Sequence, residues 1–369
     1  MKEFTFLTKA KVDALNSGWE YGGMAEVTDF SILLRGASGA RLPRDYYGKN
    51  KITGKKTGRY WTKSGEYVMP YGKLTIDDNY DVYVVDNDGD CIYCNDIDNI
   101  NGVRPVVSYS TIRPFCSNIT RSEISWAYTD ACSAYDAYDS ARSLAYLEYI
   151  GYSALPCSMS KEEFYREWDR ENPRPTSPFL GNIDALPQLE VCYGEYPQTI
   201  VDEDYSSVLE EAYNKGTLRT TGKVYSAAGR EVQGFDVVTT VNKNYIEYEY
   251  NGGKYIRFIA ISNCDGLTLS NGIKVRVRNI YWVRVEPIVW LVFEKGDLAI
   301  SKKIIFDGAP FMKCGKSYMG NFEDSFIYEF MNNYFAKEII ADRSSSRGAC
   351  GYNSSKDPEE DANKRVRKM

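Results

Sequence analysis

The chain has 369 residues, of which 43% are apolar, and its formal net charge is −6. This length and composition predict a globular protein of about two or three domains with substantial cores. A net negative charge does not favour binding to nucleic acid or to an anionic membrane, so neither is an expected partner.

The absence of His narrows the possible chemistry. It excludes Ser-His-Asp and Cys-His catalysis, His-ligated zinc and His acid–base catalysis. Carboxylates are too numerous for any pair of them to indicate an active site, and we expect a non-enzymatic protein. The nine Cys are scattered along the chain, which favours reduced, buried thiols and assembly in a cytoplasm.

The beginning of the chain has no signal-peptide pattern, and the longest apolar run, Ile288–Phe293, is too short to span a bilayer. We therefore expect a protein without membrane insertion or export signal. Such a chain still reaches the outside when a cell lyses, as virion proteins do.

In chain order, the first predicted element is a short helix from Thr8, with Val12 and Leu15 on one face. From there to Pro105 the pattern predicts short strands and turns. The Ala-, Tyr- and Ser-rich segment 122–149 predicts a long helix, and a Pro-rich connector follows it.

Two capping boxes, Ser160 to Glu163 and Ser207 to Glu210, predict the starts of further helices. Alternating apolar and charged residues in YIRFIAIS and IKVRVRNIYWVRVEPIVWLVF predict half-buried strands. Near the end, a predicted helix carries one apolar face, formed by Phe326, Ile327, Phe330, Met331, Tyr334 and Phe335.

The segment DNDGDCIYCNDID after a strand raises three possibilities, which are a metal loop, a solvated turn and a binding face. As an EF-hand it fails, because Cys91 occupies the position of the essential Gly and Ile97 that of the bidentate Glu; a looser calcium site stays open. Cys91 and Cys94 have redox or zinc spacing, but no second Cys pair accompanies them. A solvated turn is the simplest alternative.

A binding face is the third possibility. All sixteen residues from Asp86 to Asn101 are Asp, Asn, Gly, Cys, Ile or Tyr. Short hydrogen-bonding side chains with aromatic anchors are typical of binding loops, whereas ordinary solubility would use Lys and Glu.

Several segments resemble a known family. GRYWTKS, VYVVDNDGD and NGVRPVV, preceded by ARLP, resemble the closing half of the formylglycine-generating-enzyme-like branch of the C-type lectin fold, in its gut bacterial and phage form. CYGEYPQTIV, YEYNGGKYIRF, YWVRVEPIVWLVF and IIFDGAPF resemble the opening half. The resemblance implies an α+β fold with short twisted antiparallel sheets, a few helices and long loops. The reactive cysteine pair of the copper-dependent members has no counterpart here, so no cofactor is expected.

The order of the two halves is inverted. We predict two separate modules, while the alternative is that the halves complete one another in space. The predicted division is a lectin-like module at 1–115, a helical and Pro-rich connector at 116–190, a second lectin-like, β-rich module at 191–345 and a flexible tail at 346–369.

The same fold occurs in the variable proteins of diversity-generating retroelements, whose variable positions use the residue alphabet of this stretch. The resemblance therefore implies an exposed ligand-binding face, with Tyr93 as the expected anchor and Arg104 as a structural residue that ties the loop back. Trp61, Val82, Val84 and Val106 are expected in the core. The predicted face consists of Asp86, Asp88, Asp90, Ile92, Tyr93, Asn95, Asp96, Asp98, Asn99 and Asn101.

Together these features predict a ligand-binding virion protein of a tailed bacteriophage, receptor-binding or tail-fibre-associated, that acts outside the cell in host recognition. The expected partners are a host cell-surface glycan or protein, other virion proteins and further copies of the chain in a homo-oligomer. Two alternatives are a structural virion component, for capsid decoration or fibre attachment, and a bacterial surface carbohydrate-binding protein.

Overall fold

We describe the protein from a computed structural model, which describes residues 3–20, 22–38, 46–51, 53–67, 80–94, 100–152, 159–226, 244–312, 318 and 320–340. Within these residues the chain is a mixed α+β protein, as expected. The predicted ARLP element, most of the loop before Ile100 and the tail at 346–369 lie outside the described residues.

The helices fall into two groups, those packed on the sheets and those of an exposed pair. They are α1 (Lys9–Gly18), α2 (Asp29–Ala37), α3 (Tyr109–Ile112), α4 (Glu123–Tyr152), α5 (Lys161–Glu171), α6 (Glu203–Asn214) and α7 (Phe326–Glu329), which continues as a π-helix, Phe330–Ile340. Short 3₁₀ turns occupy Arg113–Phe115, Ile183–Ala185, Ser262–Cys264, Glu294–Gly296 and Phe322–Asp324.

In the described part of the chain, seventeen strands form three sheets. They are β1 (Glu26–Val27), β2 (Tyr47–Lys49), β3 (Lys56–Gly58), β4 (Tyr60–Tyr67), β5 (Tyr80–Val85), β6 (Cys91–Cys94), β7 (Ile100–Val103), β8 (Val106–Ser108), β9 (Ser117–Arg121), β10 (Leu189–Ile200), β11 (Arg219–Ser226), β12 (Asn244–Tyr250), β13 (Gly253–Ile259), β14 (Ile280–Phe293), β15 (Leu298–Ser301), β16 (Lys303–Ile304) and β17 (Phe306–Pro310).

The largest sheet has the order β11-β12-β13-β14-β10-β9, and β15 joins the far half of β14 to β8. A second sheet has the order β17-β7-β4-β5-β6, with β4 and β7 parallel. A third, small sheet has the order β16-β1-β3-β2, with β1 and β16 parallel.

The two segments predicted as separate modules share every sheet. β1, β7 and β8 of the first segment pair with β16, β17 and β15 of the second, and the larger of two hydrophobic clusters contains residues of both, from Phe4 to Ile340. The segments are therefore not independent packing units.

Most helix signals in the sequence are confirmed. Thr8 caps α1 by accepting a hydrogen bond from Lys11 N, and Ser160 and Glu163 form the predicted capping box of α5. The predicted start of α6 is wrong: the helix begins five residues earlier, because Asp202 is its N-cap, and Ser207 lies inside it.

Helix α2 contradicts the prediction of only strands and turns before Pro105. Thr28 caps it by accepting from Ser31 N, and all nine of its residues are buried. The sequence carried signals of this helix that the prediction missed, namely Thr28 at the N-cap and the polar residues Asp29, Ser31 and Arg35 among apolar ones.

A buried polar network holds α2 to β17. Asp307 in β17 faces Arg35 of α2, with Arg35 Nη1 3.7 Å from its Oδ1, and accepts hydrogen bonds from Tyr46 Oη at 2.8 and 2.9 Å. Arg35 Nη1 also donates to the carbonyl of Ile100, and its guanidinium lies 4.1 Å from the centre of the Tyr46 ring. Both charged side chains are essentially excluded from solvent.

We expect Asp307→Ala to lower the free energy of unfolding by about 3–5 kcal/mol, because it leaves the Arg35 guanidinium buried without its carboxylate. Urea unfolding followed by circular dichroism measures the change. Glu167→Ala on the exposed side of α5 is the control and should stay within about 0.5 kcal/mol. A loss below about 1 kcal/mol for Asp307→Ala would contradict this account.

Candidate functional site

The predicted face begins at a tight hairpin turn between β5 and β6. Asp86 N donates to the carbonyl of Asp90 at 2.7 Å, and Gly89 N donates to the carbonyl of Asp86 at 3.1 Å. Gly89 has φ +97°, a conformation that glycine adopts without strain. The sequence Asn-Asp-Gly thus forms the turn because its last residue permits the reversal.

Asp86 stabilises the turn from inside. Its carboxylate accepts from Arg59 Nε at 2.7 Å and from the backbone N of Asn87 at 2.7 Å. Both Asp86 and Arg59 are mostly buried. Asp86 therefore holds the hairpin to β4 and differs from the exposed contact residue that the sequence predicted.

The back of the turn is fixed to neighbouring loops. Thr57 Oγ1 donates to the carbonyl of Asn87 at 2.7 Å, and Asn16 Nδ2 donates to the carbonyl of Gly89 at 3.0 Å. Asn16 Oδ1 in turn accepts from Gly23 N at 2.6 Å. Two separate parts of the chain thus bind the turn's backbone directly, and Gly23 orients one of them, Asn16.

Asp88 and Asp90 are the members of the predicted face that are exposed among the described residues. The side chain of Asp88 lies at the tip of the turn, where its Oδ1 accepts from Asp90 N over a long 3.4 Å. Both carboxylates are therefore available to an external donor, while their backbone is held by the contacts behind them.

Strand β6 forms the edge of the five-stranded sheet within the described residues. Ile92 is half-buried and packs against the main core, so it is less available than predicted. Tyr93 pairs with Tyr83 in the strand register, and its side chain lies outside the described residues, as do Asn95, Asp96, Asp98 and Asn99.

The far end of the stretch enters the core. Asn101 is 5% exposed and pairs with Ala309 across β7 and β17. Its predicted place on an exposed face is therefore wrong, because the strand that contains it is a central one of the five-stranded sheet.

Arg104 has the structural role predicted for it, with different partners. Its Nε donates to the carbonyl of Ser301 at 3.0 Å and its Nη1 to Tyr60 Oη at 3.2 Å. It thus ties the residue after β7 to the last residue of β15 instead of holding the loop. The predicted core residues Trp61, Val82, Val84 and Val106 are all buried.

The cysteine at the start of β6 is poorly suited to redox chemistry. Burial raises the pKa of the Cys91 thiol to about 11, since the thiolate would lose its hydration. No three Cys, Asp or Glu side chains in the described part of the chain converge as a cation site requires. The described helices also include none long and apolar enough to cross a bilayer.

A second feature escaped sequence reasoning. A cleft opens between α1 and the turn at Ile183–Ala185, with Trp19 and Phe293 on an apolar wall and Glu26 and Lys302 on a charged one. The Trp19 indole Nε1 is buried there without a hydrogen-bond partner among the described residues. These residues are far apart in sequence, so no local pattern could have indicated the cleft.

Comparison with protein-family models, with characterised proteins and with solved structures finds no match to this chain.

We expect Gly89→Ala to destabilise the protein more than Gly272→Ala. Both residues have positive φ, +97° and +84°, which costs a non-glycine residue about 1–2 kcal/mol. A Cβ at Gly89 would also lie 2.9 Å from Met24 N, whereas a Cβ at Gly272 would meet nothing within 4 Å. The losses of unfolding free energy in the two variants should differ by about 1–3 kcal/mol, because only the hairpin lies close to another part of the chain, residues 23–24. Equal losses would show that the turn has room to move.

Alkylation tests the environment of Cys91. Because burial raises its pKa to about 11, we expect about a hundredfold less thiolate at pH 8 in the native protein than for the same thiol at its ordinary value. Mass spectrometry of the iodoacetamide-labelled peptide, native against urea-unfolded, gives the two rates. Equal rates would contradict the burial described above.

Proposed function

We propose that the protein is a non-enzymatic, ligand-binding virion protein of a tailed bacteriophage, receptor-binding or tail-fibre-associated, that presents the β5–β6 hairpin on a lectin-like scaffold. The observation that carries the proposal is the contrast at the hairpin tip. Asp88 and Asp90 are exposed, while the turn around them is held by Asn16 at the carbonyl of Gly89, by Thr57 at the carbonyl of Asn87 and by Arg59 at the carboxylate of Asp86.

This contrast suits recognition on physical grounds. A fixed backbone lowers the entropy lost when side chains meet a ligand, and outward side chains can change without loss of packing. The resemblance of GRYWTKS, VYVVDNDGD and NGVRPVV to the closing half of the formylglycine-generating-enzyme-like lectin branch points to the same use of the fold.

The expected ligand is a host cell-surface glycan or protein that offers hydrogen-bond donors. Carboxylates accept charge-assisted hydrogen bonds from hydroxyl, amide or ammonium groups. In this proposal the chain acts outside the cell, on the virion, in a homo-oligomer with other virion proteins, and it requires no cofactor.

A structural virion component is the second candidate. The observation that favours it is the exposed helical pair α4–α5, whose outer face carries large apolar side chains. Such a surface is suited to assembly with another protein.

Binding to intact cells tests the proposal. Labelled protein is titrated onto a panel of gut bacterial strains, and for a strain that binds, we expect the double substitution Asp88→Ala, Asp90→Ala to weaken binding at least about tenfold. The unfolding free energy should change by less than about 0.5 kcal/mol, because both side chains are exposed.

The matched control is Glu162→Ala, Glu167→Ala, which removes two exposed carboxylates from α5. Cell binding that survives the hairpin substitution, or falls equally in the control, would remove the hairpin from recognition. Antibody labelling of virions without cell binding would favour the structural role.

A further inference from the structure

Exposed apolar side chains are concentrated in one part of the molecule. Of the eleven large hydrophobic residues that are exposed in the described chain, eight lie between Phe115 and Ile183. The most exposed of them on α4 are Trp126, Leu144 and Leu147, at 54%, 58% and 59%. Surfaces of this kind are typically covered by a partner.

Helix α5 covers only one side of α4. Tyr138 donates to Asp169 at 2.7 Å and packs edge-on against Trp168, and Tyr146 and Tyr149 pack against Phe164. The residues of α4 in these contacts recur every three or four positions, which places them on one face of the helix.

The opposite face of α4 has a regular exposed seam. Successive residues of the seam lie four and three positions apart in turn, which is the spacing by which one helix packs along another in a coiled coil. All of them are exposed: Trp126, Asp130, Ser133, Ala137, Ser140, Leu144, Leu147 and Gly151. The large side chains lie towards its two ends, and the small residues between them permit close approach of a partner backbone. The seam is about 38 Å long at 1.5 Å per residue.

The charges within and beside the seam are of one sign. Asp130, Asp136 and Glu148 are exposed on this side of α4, and the helix's basic residue, Arg142, faces α5, where it pairs with Asp169 at 3.1 Å. At the first turn, the Arg121 guanidinium lies 4.4 Å from the centre of the Trp126 ring and is bound to Ser125. Beyond that turn the seam is acidic.

The charge pattern selects among possible occupants. A second copy of α4, parallel or antiparallel, would place carboxylates against carboxylates, which is destabilising. A helix with apolar seam residues and flanking Lys or Arg would form ion pairs along the whole length.

We propose that the seam of α4 is the docking site for an amphipathic helix with basic flanks, contributed by another protein. The inference is independent of the ligand-binding proposal, since the hairpin is not part of this surface. Trp126, Leu144 and Leu147 are its apolar anchors, and Asp130, Asp136 and Glu148 select the charge of the partner.

A pair of synthetic helical peptides tests the proposal on the full-length protein. Both are about four heptads long with Leu at the seam positions; one has Lys at the flanking positions and the other Glu. We expect the Lys peptide to bind at least about tenfold more tightly than the Glu peptide by fluorescence anisotropy, and its affinity to fall with added salt.

Two variants locate the site. Leu144→Asp, Leu147→Asp should weaken the Lys peptide at least about tenfold, whereas Val208→Asp, at an exposed position of α6, should not. Asp130→Lys, Asp136→Lys, Glu148→Lys should reverse the preference in favour of the Glu peptide. Circular dichroism checks that each variant is folded; these positions are exposed, so each should be.

Four outcomes would overturn the proposal. The first is equal binding of the two peptides, and the second is peptide binding that Leu144→Asp, Leu147→Asp leaves unchanged. The third is an oligomer in analytical ultracentrifugation that the same double substitution converts to a monomer. The fourth is tighter peptide binding after Lys364, Arg365, Arg367 and Lys368 are changed to Ser. The third outcome would assign the seam to a second copy, and the fourth to the chain's own basic end.

Discussion

The fold depends on one stretch of thirteen residues, Leu298–Pro310, that supplies a strand to each of the three sheets. β15 extends the largest sheet, β16 pairs in parallel with β1, and β17 forms one edge of the sheet that bears the hairpin. Each of these strands pairs with one from the first 110 residues. Neither half of the chain therefore completes a sheet without the other.

The polar network around Asp307 lies within this stretch and makes the joint specific. Hydrophobic burial alone would tolerate a shift of β17 along β7, but the Asp307 carboxylate has to meet Arg35 and Tyr46. Because Arg35 also binds the carbonyl of Ile100, the network determines where the Asp- and Asn-rich stretch re-enters the core. The position of the hairpin is thus linked to contacts more than 200 residues away in sequence.

The molecule presents two surfaces of different chemistry. The hairpin offers carboxylates on a backbone held from behind, which suits directional hydrogen bonds to a polar ligand. The α4 seam offers large apolar side chains towards its two ends, small residues between them and acidic groups, which suits another helix. Ser122 anchors the base of α4 by accepting from Ser125 N and donating to the carbonyl of Pro187, so the helical pair projects from a fixed point.

The sequence by itself determined the local features, namely the α+β class, the cap of α1, the capping box of α5, the long helix α4 and the burial of Trp61, Val82, Val84 and Val106. These depend on side-chain periodicity and on hydrogen bonds between residues a few positions apart, which a single sequence displays. The chain's remaining features were decided by the tertiary structure. The polar residues of α2, Asp29 and Arg35, are buried by tertiary contacts, and Asn101 is buried in a strand that lies between β17 and β4. Asp86 became a structural residue because folding brought Arg59 to it, and the union of the two halves arises from strand pairings that no local pattern encodes.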